Sequence, residues 1–468
     1  MLQNDTICAP ATPPGVGAIA VIRLSGDKAV EISDKVFVSP SGRKLAQQKP
    51  NTLHFGTIAD DATMIDEVVV GLFRAPHSYT GEDIVEISCH GSLYIQQQLL
   101  ELLISNGARM AQPGEFTLRA FLNGKMDLSQ AEAVADLISS NSRSFHKVAM
   151  NQMKGRFTEE IKKLRERLLN FVSLIELELD FSEEDVEFAD RSQLKQLTGE
   201  IGKLIKTLKD SFAFGNALKN GIPVAIVGRT NSGKSTLLNL LLKEDKAIVS
   251  EIEGTTRDVI EDTITIDGIH FRFIDTAGLR HTVDTIEKLG IERTWKKIGQ
   301  AEIILLVVDP TKDEKEILQL VKEIQQKIEE TEKKLVVIIN KSDLTKKSDR
   351  DTLKKKIISL SGNEIPVVTL SAKSGDNLQQ LETTLRVLVY AEEVESGNVI
   401  VTNARHFEAL KLAYEAIVRV IEGLESRLSG DLLAQDIREA LHYLGEITGE
   451  ITTNEILGNI FSKFCIGK

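Results

Sequence analysis

With 468 residues, 42% hydrophobic and 27% charged, the chain is long enough for about three domains, each with its own core. The formal net charge of −12 at pH 7 argues against a general nucleic-acid binder, because phosphate repulsion dominates at long range; a nucleic acid held by local contacts or by a basic partner subunit stays open. Three cysteines (Cys8, Cys89, Cys465) give neither a disulfide framework nor metal-ligand spacing, and no apolar stretch is long enough to span a bilayer, so a cytoplasmic protein with no membrane partner is expected.

Residues 1–120 mix short strands (18–24, 67–73, 84–88) with helices such as 93–105, and read as an α+β unit. Gly15 and Gly17 form a lone G-x-G, read as a turn. From Leu128 the apolar period becomes helical. Ile161, Leu164, Leu168, Val172, Ile175 and Leu179 share one face, until Ser182-Glu183-Glu184-Asp185 interrupts it. Residues 216–384 read as an inserted α/β module. Helical faces return at Leu433, Ile437, Leu441 and Leu444, then at Leu457, Ile460, Phe461 and Phe464. Segments 121–215 and 385–468 therefore read as one discontinuous all-α domain, so that rearranging the insert pulls on both attachment points. The basic clusters Lys162-Lys163-Leu164-Arg165 and Lys354-Lys355-Lys356 read as solvated helix faces.

The inserted module carries five ordered motifs. Gly228-Arg229-Thr230-Asn231-Ser232-Gly233-Lys234-Ser235 lies between the apolar run Val224-Ala225-Ile226-Val227 and a helical stretch from Thr236 to Leu241. Strand, glycine loop and helix is the context in which backbone N–H groups and a helix dipole cradle phosphates. Lys234 would reach the β- and γ-phosphates, and Ser235 would ligate Mg²⁺. Gly254-Thr255-Thr256-Arg257-Asp258 follows, with Thr256 as the second metal-ligating hydroxyl on a loop ordered by the γ-phosphate. Asp275-Thr276-Ala277-Gly278 follows the strand 271–274. There the carboxylate supports Mg²⁺ through its water shell and Gly278 offers a bare N–H to the γ-phosphate.

Asn340-Lys341-Ser342-Asp343 ends the strand 335–339. Asp343 would accept from N1–H and the 2-amino group of guanine, whereas adenine would leave that carboxylate unpaired. Ser371-Ala372-Lys373 closes over the base. The ligand class is GTP with Mg²⁺, and the reaction class is phosphoryl transfer to water. Leu279 stands where Ras-type switches carry a water-orienting Gln, so another group must position water. Asn231 offers an oxygen suited to a monovalent cation beside the phosphates. Glu287, in the charged stretch 284–297, is either a water-holding carboxylate or a solvated helix-face charge.

Thr12-Pro13-Pro14-Gly15, Ile22-Arg23-Leu24-Ser25-Gly26, Tyr79-Thr80-Gly81-Glu82-Asp83, Pro113-Gly114-Glu115-Phe116 and Ala120-Phe121-Leu122-Asn123-Gly124-Lys125 flank this module on one side. Leu444-Gly445-Glu446-Ile447-Thr448-Gly449-Glu450 and the ending Cys465-Ile466-Gly467-Lys468 follow it on the other. Together with the five motifs they make the chain resemble, end to end, the MnmE (TrmE) family of tRNA-modification GTPases. Thr230, where many members carry proline, is a departure that costs little loop rigidity.

The resemblance implies a fold of three parts: an N-terminal α+β folate-binding and dimerisation domain, a discontinuous helical domain, and an inserted Ras-like P-loop GTPase domain. It implies a potassium-activated enzyme with K⁺ held by Asn231, Ser250, Ile252 and Thr255 in place of an arginine finger, and it favours Glu287 as the water-orienting group. It places a tetrahydrofolate derivative (5,10-methylene or 5-formyl) on Arg23, Glu86, Lys125 and Lys468; read without it, Glu86 is the polar side of a strand.

Cys465 lies in what reads as a flexible tail. It is either a small hydrophobe that finishes packing or, beside Lys468, a functional thiol. The implied activity adds a carboxymethylaminomethyl or aminomethyl group to C5 of the wobble uridine of certain tRNAs. The implied partners are a second copy of the chain and the flavoprotein MnmG, in a heterotetramer. A ribosome-assembly GTPase and a folate-binding regulator are the rival readings.

Overall fold

The computed structural model describes residues 5–60, 63–140, 142–180, 191–245, 262–267, 269–274, 298–329, 331, 333–360, 365–389, 399–426, 428–462 and 464–467. The chain divides into two compact units. Met1–Ser139, Met150–Gly202 and Leu412–Lys468 form the first; Ser140–Ala149 and Lys203–Lys411 form the second.

The first unit is built on a seven-stranded sheet of β1 (Ile7–Pro10), β2 (Ile19–Ser25), β3 (Phe37–Val38), β4 (Thr52–Asp60), β5 (Thr63–Phe73), β6 (Ile84–His90) and β7 (Arg109–Met110). The spatial order is β3-β4-β5-β6-β2-β1-β7, and every pair is antiparallel except β1 with β7. Side chains alternate across it. Ile22 and Leu24, Val70 and Leu72, and Val85 and Ile87 turn to one face and pack on Leu99, Leu102 and Leu103 of the helix Leu93–Ser105. The residues between them, Arg23 and Glu86 included, face the other side. The α+β character expected from sequence is present, while β4 went unread because its alternate residues Leu53 and Phe55 point to solvent. In the helical part of this unit, Arg156–Asp180 packs along Gly430–Thr448. Ile161, Leu164, Leu168, Val172 and Ile175 are buried on the first, and Leu433, Ile437, Leu441 and Leu444 on the second, as the helical periods predict.

The second unit holds a six-stranded sheet of β8 (Ile222–Val227), β9 (Asp262–Ile266), β10 (Ile269–Phe273), β11 (Ile303–Val308), β12 (Lys334–Ile339) and β13 (Val367–Thr369). Its order is β13-β12-β11-β8-β10-β9, parallel throughout apart from the antiparallel β9. Val224, Ile226, Leu305 and Val307 face Leu237 and Leu241 of the helix Lys234–Asp245. Ala225, Val227, Ile304 and Leu306 face Ile317 and Val321 of the helix Glu314–Ile328. Burial on both faces is why these strands read as unbroken apolar runs. Because the strands are parallel, the loops after β8, β11, β12 and β13 emerge along one edge of the sheet. Upstream of β8, the Ser211 hydroxyl accepts a bond from Val401 N at 3.1 Å, so the segment entering the sheet runs beside the one that follows residue 399. No described helix is long and apolar enough to cross a membrane.

A charge network centred on the buried Arg119 and Glu115 braces the first unit. Arg119, 3% exposed, donates to Asp5 Oδ1 at 2.7 Å, to Glu115 Oε1 at 3.0 Å and to Glu82 Oε1 at 3.2 Å. Arg109 adds bonds to Asp5 and Glu115. Burial works to raise the Glu115 carboxyl, but the bonds from Arg109, Gln112 N and Arg119 outweigh it and leave it below its usual range. The Arg109 hydrogen bond likewise lowers Asp5. Depressed carboxyls contribute stability that is complete above their unfolded values, about pH 4, and lost as pH falls further. Replacing Arg119 with Met leaves Glu82, Asp5 and the buried Glu115 one cationic partner short, though Arg109 still serves the last two, and should cost about 1.5–3 kcal/mol of this unit's stability at pH 7, read as a lower urea midpoint. The wild-type midpoint should fall more steeply below about pH 4 than the variant's; parallel acid limbs would contradict this account.

Candidate active site

β8 ends at Val227, and the chain turns through Gly228–Gly233 into the helix that opens at Lys234. Gly233 has φ 99°, and a Cβ there would stand 2.1 Å from Asn340 Nδ2. That amide has a specific use. Asn340, at the end of β12 and 2% exposed, donates through Nδ2 to the Ser232 carbonyl at 2.8 Å and accepts through Oδ1 from Ala372 N at 2.9 Å. One side chain therefore joins the loops that follow β8, β12 and β13. Lys234 Nζ donates to the Gly228 and Arg229 carbonyls, both at 2.8 Å, so its ammonium spans the glycine loop. Backbone N–H groups at a helix start, together with that ammonium, make an anion site. Ser235 is half-buried on the first helical turn and Thr236 beside it is exposed. Asn231 has a left-handed backbone, φ 60°, with its side chain exposed.

The base-side residues form a second arc of the same edge. Ser342 N donates to the Leu370 carbonyl at 3.2 Å. Asp343 is exposed, and its Oδ1 accepts from the buried Ser371 hydroxyl at 2.7 Å. That bond, then the charges of Lys373 and Lys341, hold the Asp343 carboxyl below its ordinary range, so it is an ionised acceptor at neutral pH. Lys373 is exposed beside it. Sequence reasoning missed Asp309, which follows β11 and whose Oδ2 meets Lys341 Nζ at 2.6 Å. The available signal was its place as the first polar residue at the C-terminal end of a central parallel strand. Ser250, Glu251, Ile252, Glu253, Gly254, Thr255, Thr256, Asp275, Thr276, Ala277, Gly278, Glu287 and Lys468 lie outside the described residues.

A separate polar cluster lies on the first unit's sheet. Arg23 on β2 stands directly opposite Glu86 on β6, with Nε and Nη2 each 2.8 Å from Glu86 Oε1. The guanidinium lies 5.5 Å from the Tyr79 ring centre and 5.7 Å from that of Phe116. Lys125 Nζ donates to the Pro76 carbonyl at 2.9 Å, and the lysine stem runs beside Gly81. Lys125 therefore sits on the loop that carries Tyr79.

The C-terminal tail, expected to be flexible, is seated on this sheet instead. Gly114 N donates to the Cys465 carbonyl and Arg23 Nη1 to the Gly467 carbonyl, each at 3.4 Å. Gly467, φ 95°, lies so near Pro10 that a Cβ would stand 1.9 Å from its carbonyl oxygen. Only glycine lets the backbone lie this flat on β1. Cys465 is exposed, so the packing reading of this thiol does not hold.

Replacing Gly233 with Ala should displace the Asn340 amide and weaken binding of a fluorescent GDP analogue by about tenfold or more, since two buried hydrogen bonds are disturbed at once. An affinity within about twofold of wild type would contradict the bracket.

A profile described as the MnmE helical domain matches residues 128–465, and one described as the GTP-binding protein TrmE N-terminus matches residues 6–125. Over 468 residues the chain is 56% identical to the tRNA modification GTPase MnmE of Bacteroides fragilis, and 56% identical to that of Bacteroides thetaiotaomicron; both alignments cover 100% of each chain. The same-named protein of Christiangramia forsetii is 55% identical over 474 residues, again across 100% of both. With matches that run the whole length of the sequence, the chain belongs to the MnmE family of tRNA modification GTPases.

Proposed function

We propose that this protein hydrolyses GTP and uses the resulting conformational cycle to drive modification of a wobble uridine in tRNA. The observation that carries the reading is the Asn340 bracket, which brings the glycine loop, Asp343 and Ser371 to one edge of the parallel sheet. In this reading the loop N–H groups and Lys234 hold the phosphates, Asp343 accepts from the guanine edge, and Ala372 and Lys373 cover the base. Water attacks the γ-phosphorus as the β–γ bridging bond breaks, giving GDP and phosphate. Glu287 orients that water in place of the Gln whose position Leu279 occupies.

The half-buried Ser235 hydroxyl and the exposed Asn231 amide fit oxygen donation to hard cations: Ser235 with Thr256 for Mg²⁺, and Asn231 with Ser250, Ile252 and Thr255 for K⁺. When bound, the two cations supply positive charge against the phosphate oxygens. The Arg23–Glu86 pair, whose guanidinium lies near the Tyr79 and Phe116 rings and the tail that carries Cys465, fits the flat hydrogen-bonding ring of a tetrahydrofolate derivative; Lys125 and Lys468 would serve its carboxylates. A homodimer through the first unit is supported by an exposed apolar sheet face, with Leu53 at 74% exposure beside Phe55 and Val69.

The proposed partners are the flavoprotein MnmG and tRNA, and the proposed product carries an aminomethyl-type group on C5 of the uridine. The three-part division 1–120, 121–215 with 385–468, and 216–384 belongs to the same proposal.

GTP turnover should rise by about tenfold or more when K⁺ replaces Na⁺ at equal ionic strength; equal rates remove the cation role of Asn231 and Thr255. In a strain lacking the native gene, the Cys465→Ser protein should leave the wobble uridine unmodified by nucleoside mass spectrometry. Normal modification levels would show that the thiol has no part in the chemistry.

A further inference from the structure

Asp309 has no part in the five motifs, yet it is 6% exposed and anchored at the end of β11, between β8 and β12. Burial works to raise its carboxyl, and the bonds from Lys341 and Thr311 outweigh that and keep it ionised. Its two oxygens divide the partners. Oδ1 accepts from Thr311 N at 3.0 Å and from the Thr311 hydroxyl at 2.7 Å, which turns the carboxylate so that Oδ2 meets Lys341 Nζ at 2.6 Å. A purely structural turn accounts for Oδ1 and leaves the Lys341 contact unexplained.

Lys341 takes a left-handed backbone, φ 56°, at the start of the single turn Ser342–Leu344 that presents Asp343 two residues later. Its charge reaches Asp343, where it already favours the ionised form. A lysine ammonium is a compact charge on a flexible four-carbon stem, and untethered it pairs with the nearest carboxylate. At this turn Asp343, two residues on, is a carboxylate that its charge already reaches, and the one whose acceptor oxygens a guanine ring needs.

We propose that Asp309 is a positioning residue for the base site: by holding the Lys341 ammonium it keeps that charge off Asp343, so that the Asp343 carboxylate stays free to accept from the 2-amino and N1–H donors of guanine. The stem of Lys341, tied back at its tip, is left as an apolar ledge beside the base. The inference rests on the nucleotide reading of Asp343 and assigns discrimination between purine rings to a residue that touches neither base nor phosphate.

Inosine nucleotides lack the 2-amino group, so the ratio of IDP to GDP dissociation constants reports how well Asp343 is presented. Full-length protein would be titrated with mant-GDP and mant-IDP. The wild type should prefer GDP by about tenfold or more. Asp309→Asn should lower that preference by about fivefold, chiefly through weaker GDP binding, and the fall should disappear when Lys341→Met is present in both members of the comparison. An unchanged preference in Asp309→Asn overturns the proposal, and so does an equal fall in the Lys341→Met background. If Asp309→Asn loses its cooperative melt, Thr311→Ala replaces it: freeing the carboxylate to turn should lower the preference by about twofold, and no change refutes the role. A wild type that fails to bind mant-GDP removes the nucleotide reading itself, and this inference with it.

Discussion

The buried side-chain amide of Asn340 is the constraint on which the second unit's site depends. A parallel sheet delivers its loops to a common edge but leaves each free to choose its own path above it. The donor and acceptor of a single amide, spent on Ser232 and Ala372, remove that freedom for two loops while the backbone of Asn340 fixes the third. An amide does this better than a charge, because both of its ends are satisfied inside the protein and no ion is left to desolvate. Gly233 is the matching concession: any side chain there would occupy the space that the amide needs.

How much of this was legible beforehand depended on the range of the interaction. The apolar runs of β8 and β12 could be read because both faces are buried, and the motifs could be read because phosphate and guanine demand particular atoms at short spacing. Pairings between distant positions could not. Arg23 meets Glu86 across 63 residues and Asn340 meets Ser232 across 108, and neither composition nor period carries that information. Asp309 shows the same limit at shorter range, since its partner Lys341 lies 32 residues on, at the end of the neighbouring strand. The tail was misjudged for a related reason. Small polar endings look mobile until a surface shaped to receive them is known, and here β1 and Arg23 provide one.

In the first unit, polar interactions are arranged in layers. Arg119 and Glu115 are sealed from water, with Asp5 and Glu82 partly exposed at their edge, and this network serves rigidity. Glu82 belongs to the same short segment as Tyr79, whose ring lies near the Arg23 guanidinium. Arg23 and Glu86 remain partly open to solvent. A fixed inner network with an accessible outer pair is how a protein can present ionic groups to a ligand without paying reorganisation each time.

The contact between Ser211 and Val401 has a consequence for how such a chain came to be assembled. These residues are 190 positions apart and yet hydrogen-bonded, so everything between them begins and ends at one spot. To the helices on either side, a spliced module of this kind has the span of a short connector, whatever its bulk. A nucleotide-hydrolysing cassette closed in this way can be acquired, exchanged or lost by recombination with little penalty to the scaffold that receives it.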